Sequence, residues 1–206
     1  AQDAASMLAV EELLSRATTL IADQFGYYHV GLFLLDSSGE WAVLQAASSE
    51  GGQRMLARGH RLRVGQEGTV GDVVGGGESR VALDVGDDAA YFDNPDLPAT
   101  RSELTLPLRA RGEVIGALDI QSTQQEAFGE EDVAVLQALA DQLAVSISSG
   151  RLWRQVQESL DAERRAYGEF SREAWRDLLH VRSDLGFVKE QGVISTAGDG
   201  CEPGMK

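Results

Sequence analysis

The 206-residue sequence contains one cysteine, Cys201, close to its C-terminal end. A disulfide framework and a cysteine-based metal cluster are thereby excluded. Prolines number only four, and there is no excess of positive charge: 33 acidic residues against 18 basic ones give a net charge of −15. A surface of that sign repels a nucleic-acid backbone or an anionic membrane, so neither is expected as a partner. No apolar run approaches the roughly 20 residues that cross a bilayer, and no secretory leader opens the sequence, which makes a cytoplasmic setting the expectation. What remains is a foldable chain, 43% hydrophobic, unlike a disordered segment. Its length suits one domain of about 150 residues with an appendage.

The most legible stretch is SELTLPLRARGEVIGALDIQS, Ser102–Ser122. Leu104, Leu106 and Leu108 alternate with polar neighbours, and Val114, Leu118 and Ile120 do so after the turn. A period of two places each set on one face of a sheet. Arg111-Gly112 supplies a tight hairpin connection. Ile115 and Ala117 make the opposite face partly apolar, so helices are expected over it. Pro107 falls inside this strand pattern, and a local irregularity is expected there.

Upstream, Met7, Val10, Leu14, Ala17 and Ile21 mark a helix over Ala5–Gln24, ended by Gly26. Strands are predicted over His29–Asp36 and Trp41–Ser48, joined through Ser37-Ser38-Gly39. Gly51–Leu56 reads as a loop or short helix, and His60–Val64 and Val81–Val85 as short strands. The run GQEGTVGDVVGGG, Gly65–Gly77, lacks the lysine of a Walker loop and the glycine spacing of a dinucleotide fingerprint. It is expected to be a short helix around Thr69–Val74 closed by glycines. Gly86–Thr100 is a turn-rich loop carrying Tyr91 and Phe92.

From Gly129 a very long helix is predicted. Val133, Leu136, Leu139, Leu143 and Ile147 form its first apolar stripe; Trp153, Val156, Leu160, Tyr167, Phe170 and Ala174 continue as a heptad-like seam among charges. Gly150 and Gly168 weaken it by about 1 kcal/mol each relative to Ala. The alternative is a helix folded back on its own domain. Phe187-Val188 and Val193-Ile194 fit a small hairpin or the beginning of a further domain, and the sequence after Thr196 reads as linker.

No catalytic constellation emerges. His29, His60 and His180 are scattered; His29 and His180 read as solvated or capped side chains, and His60 is a lone candidate for an axial haem ligand. Glu130-Glu131 and Asp87-Asp88 are explained by a helix start and a turn.

Thr100–Ser122 followed by AFGEEDVAVLQALADQLAVSI, Ala127–Ile147, resembles the end of a GAF domain, a small sensory module of bacterial multi-domain signalling proteins such as histidine kinases. The likeness extends from about Leu8 to Trp153. It implies an α+β fold: an antiparallel sheet of about six strands, with the first and last helices on one face and the short helix and lid loop over the other. The implied partition is a sensor domain over 4–150, a signalling and dimerisation helix over 151–182, and a linker or next domain over 183–206. By the same resemblance, Thr69, Asp72, Asp84, Tyr91, Phe92, Ser102 and Thr105 lie near a ligand pocket, with Asp72 alternatively facing water.

Enzymatic members of this family reduce free methionine sulfoxide through pocket cysteines. None occurs between Ala1 and Gly200, so no enzyme, no thioether-linked bilin and no cofactor is expected. The segment Tyr91–Asp96 lacks the lysine and spacing of the NKFDE motif of cyclic-nucleotide binders. The expected function is a regulatory sensor that binds an unknown small molecule and signals to a downstream output domain through a homodimer held by Trp153, Val156, Leu160, Tyr167 and Phe170. The rival readings are a ligand-free dimerisation or spacer module and, further off, a non-covalent haem sensor.

Overall fold

Alternation builds the sheet. In the computed structural model, which describes residues 2–85, 94–181, 186–190 and 193–197, strand β5 (Ser102–Ala110) pairs antiparallel with β6 (Glu113–Ser122). Leu104 faces Ile120 and Leu106 faces Leu118 across the ladder, and all four are fully buried. Arg111 and Gly112 both take positive φ, 55° and 84°, as a two-residue turn matched to strand twist requires. The other strands are β1 (His29–Leu35), β2 (Trp41–Ala47), β3 (Arg61–Arg63) and β4 (Arg80–Ala82). The sheet has six strands in the order β3-β2-β1-β6-β5-β4, every pair antiparallel. The hairpin thus lies centrally, as its two-sided burial anticipated.

Two hydrophobic layers sandwich this sheet. Helix α1 (Gln2–Phe25) and the first part of α4 (Glu130–Val181) lay Leu14, Ile21, Leu136, Ala140, Ala144 and Ile147 on the row Val30, Leu32, Leu104, Leu106, Leu118 and Ile120. Helix α2 (Glu50–Ala57) and α3 (Gly68–Gly76) cover the other face, where Met55, Val70, Val73 and Val74 pack with Phe33, Leu44, Leu62, Leu97 and Ala117. Strands buried on both faces need apolar residues at successive positions, and β1 (HVGLFLL) supplies them. This is the α+β arrangement expected from the sequence. Gly26, with φ of 72°, ends α1, and Gly77, with φ of 78°, ends α3, each as a left-handed C′ residue.

Two local expectations need correction. Ile115 packs in the first core and Val114 in the second, the reverse of simple alternation. The cause is a bulge: Leu108 pairs with Gly116 and Arg109 with Val114, so Ile115 has no partner and the side-chain order flips beyond it. Pro107 sits in register with Ala117. It is tolerated because β4 pairs only with Glu103–Thr105, leaving that edge of β5 open at Pro107. The irregularity falls one residue further on.

Helix α4 runs for 52 residues through Gly150 and Gly168. By length and composition it includes a stretch apolar enough to span a membrane, which the sequence reading did not anticipate. Leu136, Ala140, Ala144 and Ile147 of α4 are buried against the sheet, but only 22% of that apolar stretch is buried in the fold. Contacts divide the chain into two compact units, Ala1–Leu152 and Trp153–Lys206. In the second, Trp153 is 69% and Tyr167 76% exposed, and Val156 and Leu160 are exposed as well. Strands β7 (Gly186–Glu190) and β8 (Val193–Ala197) pair as a hairpin. The side chains of Met7, Val10, Phe170 and Ala174, together with Asp87, Asp88, Tyr91, Phe92 and Cys201, lie outside the described residues.

Candidate functional site

The second core is interrupted at one place by polar side chains. Position parity decides where. Glu103 and Thr105 alternate with Leu104 and Leu106, so they point to the α2/α3 face of β5. Directly across the ladder stand Gln121 and Asp119 of β6, and beyond them His29 and Gly31 of β1. Thr69 projects from α3 onto the same patch. All of these side chains are buried.

Hydrogen bonds link them into two short chains. Thr105 donates to Thr69 (2.9 Å), which donates to Glu103 Oε1 (2.6 Å). Thr100 donates to Gln121 Oε1 (2.6 Å), and Gln121 Nε2 donates to Asp119 Oδ2 (2.7 Å). Asp119 Oδ1 is enclosed and accepts from no donor. Burial, then the charge of Glu103, then a side-chain hydrogen bond with Glu103, holds the Asp119 carboxyl protonated well above the usual carboxylate range. One proton between two such carboxyls is the arrangement that like charges in a dry site enforce.

His29 completes the patch. Its ring occupies a slot left by two glycines: a Cβ on Gly52 would stand 2.7 Å from His29 Cε1, and one on Gly31 3.0 Å from Nε2. Ser49, the N-cap of α2, lies 2.7 Å from Nδ1, and its Oγ also accepts from the Gly52 amide. Nε2 is buried without a partner. Desolvation lowers the His29 pKa to about 4, so the ring is neutral at pH 7.

Of the residues expected at a pocket, Thr69 and Thr105 are brought together here. Ser102 shares the parity of Leu104; it lies on the opposite, α1/α4 face and donates to the Gln124 carbonyl (2.7 Å). Asp72 is partly exposed and bonds Arg80 at 3.3 Å. Asp84 lies after β4, bonded to Gln125 and 3.9 Å from Arg101. Tyr91 and Phe92 lie outside the described residues. His60 packs edge-on against Phe33 with centroids 6.2 Å apart, and burial lowers its pKa. His29 is no solvated residue but a fully buried one. Glu103, Asp119, Gln121 and His29 were not anticipated as site residues, although charged groups at alternate positions of apolar strands were the available signal.

The loop leading back to β5 is fastened beside the patch. Asp96 takes Arg54 of α2 (2.9 Å) and Arg58, the residue that caps the C-terminal end of that helix, and Asn94 lies 3.2 Å from Met55 sulfur. The two guanidinium groups hold the Asp96 carboxyl below the usual range. A cleft of about 370 Å³ opens alongside, between Tyr28, Ser49, Arg54, Asp96 and Pro98. No group of three His, Cys, Asp or Glu among the described residues is placed to hold a metal ion.

A six-stranded antiparallel sheet with two helices on one face and a polar, helix-covered patch on the other defines a small α+β module. The chain belongs to the GAF domain family, whose family model matches residues 8–148. Among solved structures, it is similar to the GAF domain of a phosphoenolpyruvate-protein phosphotransferase from Coxiella burnetii (26% identity, TM-score 0.64, covering 71% of this chain and 86% of that one). It is also similar to free methionine-R-sulfoxide reductase from Neisseria meningitidis in complex with its substrate (25% identity, TM-score 0.59, covering 69% and 80%). The type II free methionine-R-sulfoxide reductase from Thermoplasma acidophilum shares the fold (24% identity, TM-score 0.59, covering 68% and 92%). No curated protein matches the sequence.

Proposed function

We propose that this protein is a regulatory sensor: the patch around Glu103, Asp119 and His29 binds a small molecule, and α4 relays its occupancy to an output domain of a bacterial signalling protein such as a histidine kinase. The observation that carries this reading is a polar cluster buried inside an otherwise apolar sheet face. A buried carboxyl pair and an unpartnered imidazole nitrogen cost stability that apolar side chains in the same places would not. Such costs gather at sites of function. The strands holding the patch carry on their reverse side the leucines that seat α4, so a change in strand spacing on binding alters the seat of the helix. Ligand can shift that equilibrium only by its differential affinity for the two packings.

The chemistry is not enzymatic in this reading. Reduction of a sulfoxide needs a thiolate, and residues 1–200 contain none. Native mass spectrometry of freshly purified protein tests the proposal. The expected spectrum shows a non-covalent adduct that disappears on denaturation and in the Glu103→Gln variant. A spectrum of bare chain alone, with no metabolite stabilising the fold on addition, would sink it.

A second reading, a ligand-free dimerisation or spacer module, is favoured by a separate observation. Trp153, Val156, Leu160 and Tyr167 are all exposed in the single chain, and soluble proteins seldom leave such a stripe uncovered. Both readings share a parallel homodimer along this helix.

A further inference from the structure

We infer that the β3 end of the sheet is a docking surface for a short acidic segment of a partner protein, two of whose carboxylates bond the guanidinium groups of Arg61 and Arg63 beside the ring of Trp41. This surface lies on the opposite side of the sheet from the polar patch, and the inference goes beyond the sensor reading.

The sheet is uncovered at this end. Ala42 and Leu44 of β2 and Leu62 of β3 point into the second core. By alternation, Trp41, Val43, Arg61 and Arg63 point to the other side. Helices α1 and α4 cover that side further along, but the core beneath them takes in Ala46 alone from β2 and nothing from β3. Trp41 and Val43 are half-buried there, and Arg61 and Arg63 are exposed.

Positive charge gathers here against the trend of the chain. The run RMLARGHRLR, from Arg54 to Arg63, carries four arginines and no acid in a chain of net charge −15. Asp96 takes Arg54 and Arg58. Among the described residues, neither Arg61 nor Arg63 has a carboxylate partner. Their guanidinium carbons instead stand 4.2 and 5.6 Å from the centroid of the Trp41 ring, and Arg63 faces Trp41 directly across the ladder. Two like charges gathered at one ring repel each other, and a carboxylate beside them offsets that cost. Held over the ring, each guanidinium keeps a planar fork of N–H donors suited to bidentate bonding.

A guard against edge pairing does not account for this arrangement. The strand edge is already closed at Arg63. Its amide donates to Glu67 Oε2 at 2.8 Å, and its carbonyl accepts from the Gln66 and Glu67 amides at 3.2 and 3.1 Å. Guarding needs charge alone, not two guanidiniums collected on an aromatic ring. The same closure turns an added strand away from this backbone, so recognition falls to the side chains.

The occupant follows from the charge map. A pair of guanidiniums selects oxyanions. Nucleic acid or an anionic membrane would bring a long run of negative charge against a surface that is acidic elsewhere, and be repelled by it. A short acidic segment meets the two arginines only. Positions two apart on a strand are separated by roughly 7 Å, so Arg61 and Arg63 match carboxylates two positions apart on an extended segment.

The test is an NMR titration of the isotopically labelled full chain at fixed ionic strength. The probes are the capped peptide Gly-Asp-Val-Asp-Gly, its analogue with asparagine in place of both aspartates, a DNA oligonucleotide and phosphatidylglycerol vesicles. The aspartate peptide is expected to shift the Nε1–H signal of Trp41 and the Nε–H signals of Arg61 and Arg63, leaving that of Trp153 in place. The asparagine peptide is expected to shift none of them. Arg61→Gln combined with Arg63→Gln should weaken binding by about tenfold, the loss of two exposed charged pairs. Arg111→Gln, in the exposed β5–β6 turn, should leave it unchanged. Arg61→Lys combined with Arg63→Lys keeps the charge but not the planar fork, and should lose most of the affinity as well. Full affinity in the lysine variant reduces the effect to bulk charge and overturns the docking surface. Equal binding of the asparagine peptide, or no shift at these signals, overturns it too. Stronger binding of DNA or vesicles than of the aspartate peptide overturns the assignment to an acidic protein segment. None of these variants alters Glu103, Asp119 or His29, so the sensor reading stands or falls by its own mass spectrum.

Discussion

Thr69 of helix α3 donates a 2.6 Å hydrogen bond to Glu103 of strand β5, across a layer that is otherwise apolar. That bond ties the helix covering the patch to the acid at its centre, so the protonation and occupancy of the acid pair bear directly on how α3 is held. The same geometry makes the patch sensitive to pH in two opposite directions, which separate experimentally.

His29 contributes a loss of stability on acidification. Its folded pKa of about 4 lies below the ordinary imidazole value of 6.5. Between those values the unfolded chain takes up a proton that the folded chain refuses. The contribution is intact above pH 6.5 and is lost as the pH falls towards 4. The full difference is about 3 kcal/mol. Urea unfolding at pH 7 and pH 4.5 should show wild type losing more stability than His29→Gln by about 2 kcal/mol, most of the full difference; equal losses would mean that the ring is not buried neutral.

Asp119 works the other way. Its folded pKa is raised, so the folded state keeps a proton that the unfolded chain has given up. Stability is greatest at low pH and declines as the pH climbs from the ordinary carboxylate range towards the folded value. Asp119→Asn does not titrate. Its Tm should gain on wild type steadily from pH 4.5 to pH 8 by calorimetry. A gap that stays constant or narrows would place the carboxylate in a solvated environment.

The backbone approach at Gly116 makes a packing prediction. A Cβ there would stand 2.1 Å from the Phe33 carbonyl oxygen, whereas one on Gly76 meets nothing within 4 Å. Gly116→Ala should cost about 3 kcal/mol by forcing β1 and β6 apart. Gly76→Ala should be neutral or stabilise by up to about 1 kcal/mol. Chemical denaturation of the two variants checks the contrast.

The exposed seam of α4 predicts self-association. Trp153→Glu combined with Leu160→Glu sets like charges against each other on a parallel two-fold axis. Sedimentation equilibrium should then report a monomer at micromolar concentration with unchanged circular dichroism, against a wild-type dimer. An unchanged dimer would move the interface elsewhere.

How far the sequence alone led can be seen residue by residue. Leu104, Leu106, Leu118 and Ile120 were readable because period-two burial has no other simple cause. The long helix was readable because its stripe continues past Gly150 without a stop. The inversion of Val114 and Ile115 was not, since a bulge is a property of the pairing and leaves no residue signature here. Ser102 was misplaced although its parity with Leu104 was available. Glu103 and Asp119 were passed over because polar residues alternating in a strand ordinarily mean solvent, and only the helices laid over that face turn them into buried acids. His29 read as solvated because its burial depends on Gly31 and Gly52, and Gly52 is remote from it in the chain.

That dependence gives the His29 slot a further consequence for how the protein can vary. The ring, Gly31 of β1 and Gly52 of α2 share one volume, and none of the three can be enlarged alone: a Cβ on Gly52 also comes within 2.4 Å of the Ala47 Cβ. The three positions are therefore epistatic. Gly31→Ala, whose new Cβ would meet the His29 ring first, should be poorly tolerated with His29 in place and better tolerated alongside His29→Ala, with the coupling read from a double-mutant cycle. Gly52→Ala should stay costly in both backgrounds because of Ala47. Variation at Gly31 therefore passes through the loss of the imidazole, while Gly52 is held small by Ala47 as well as by the ring.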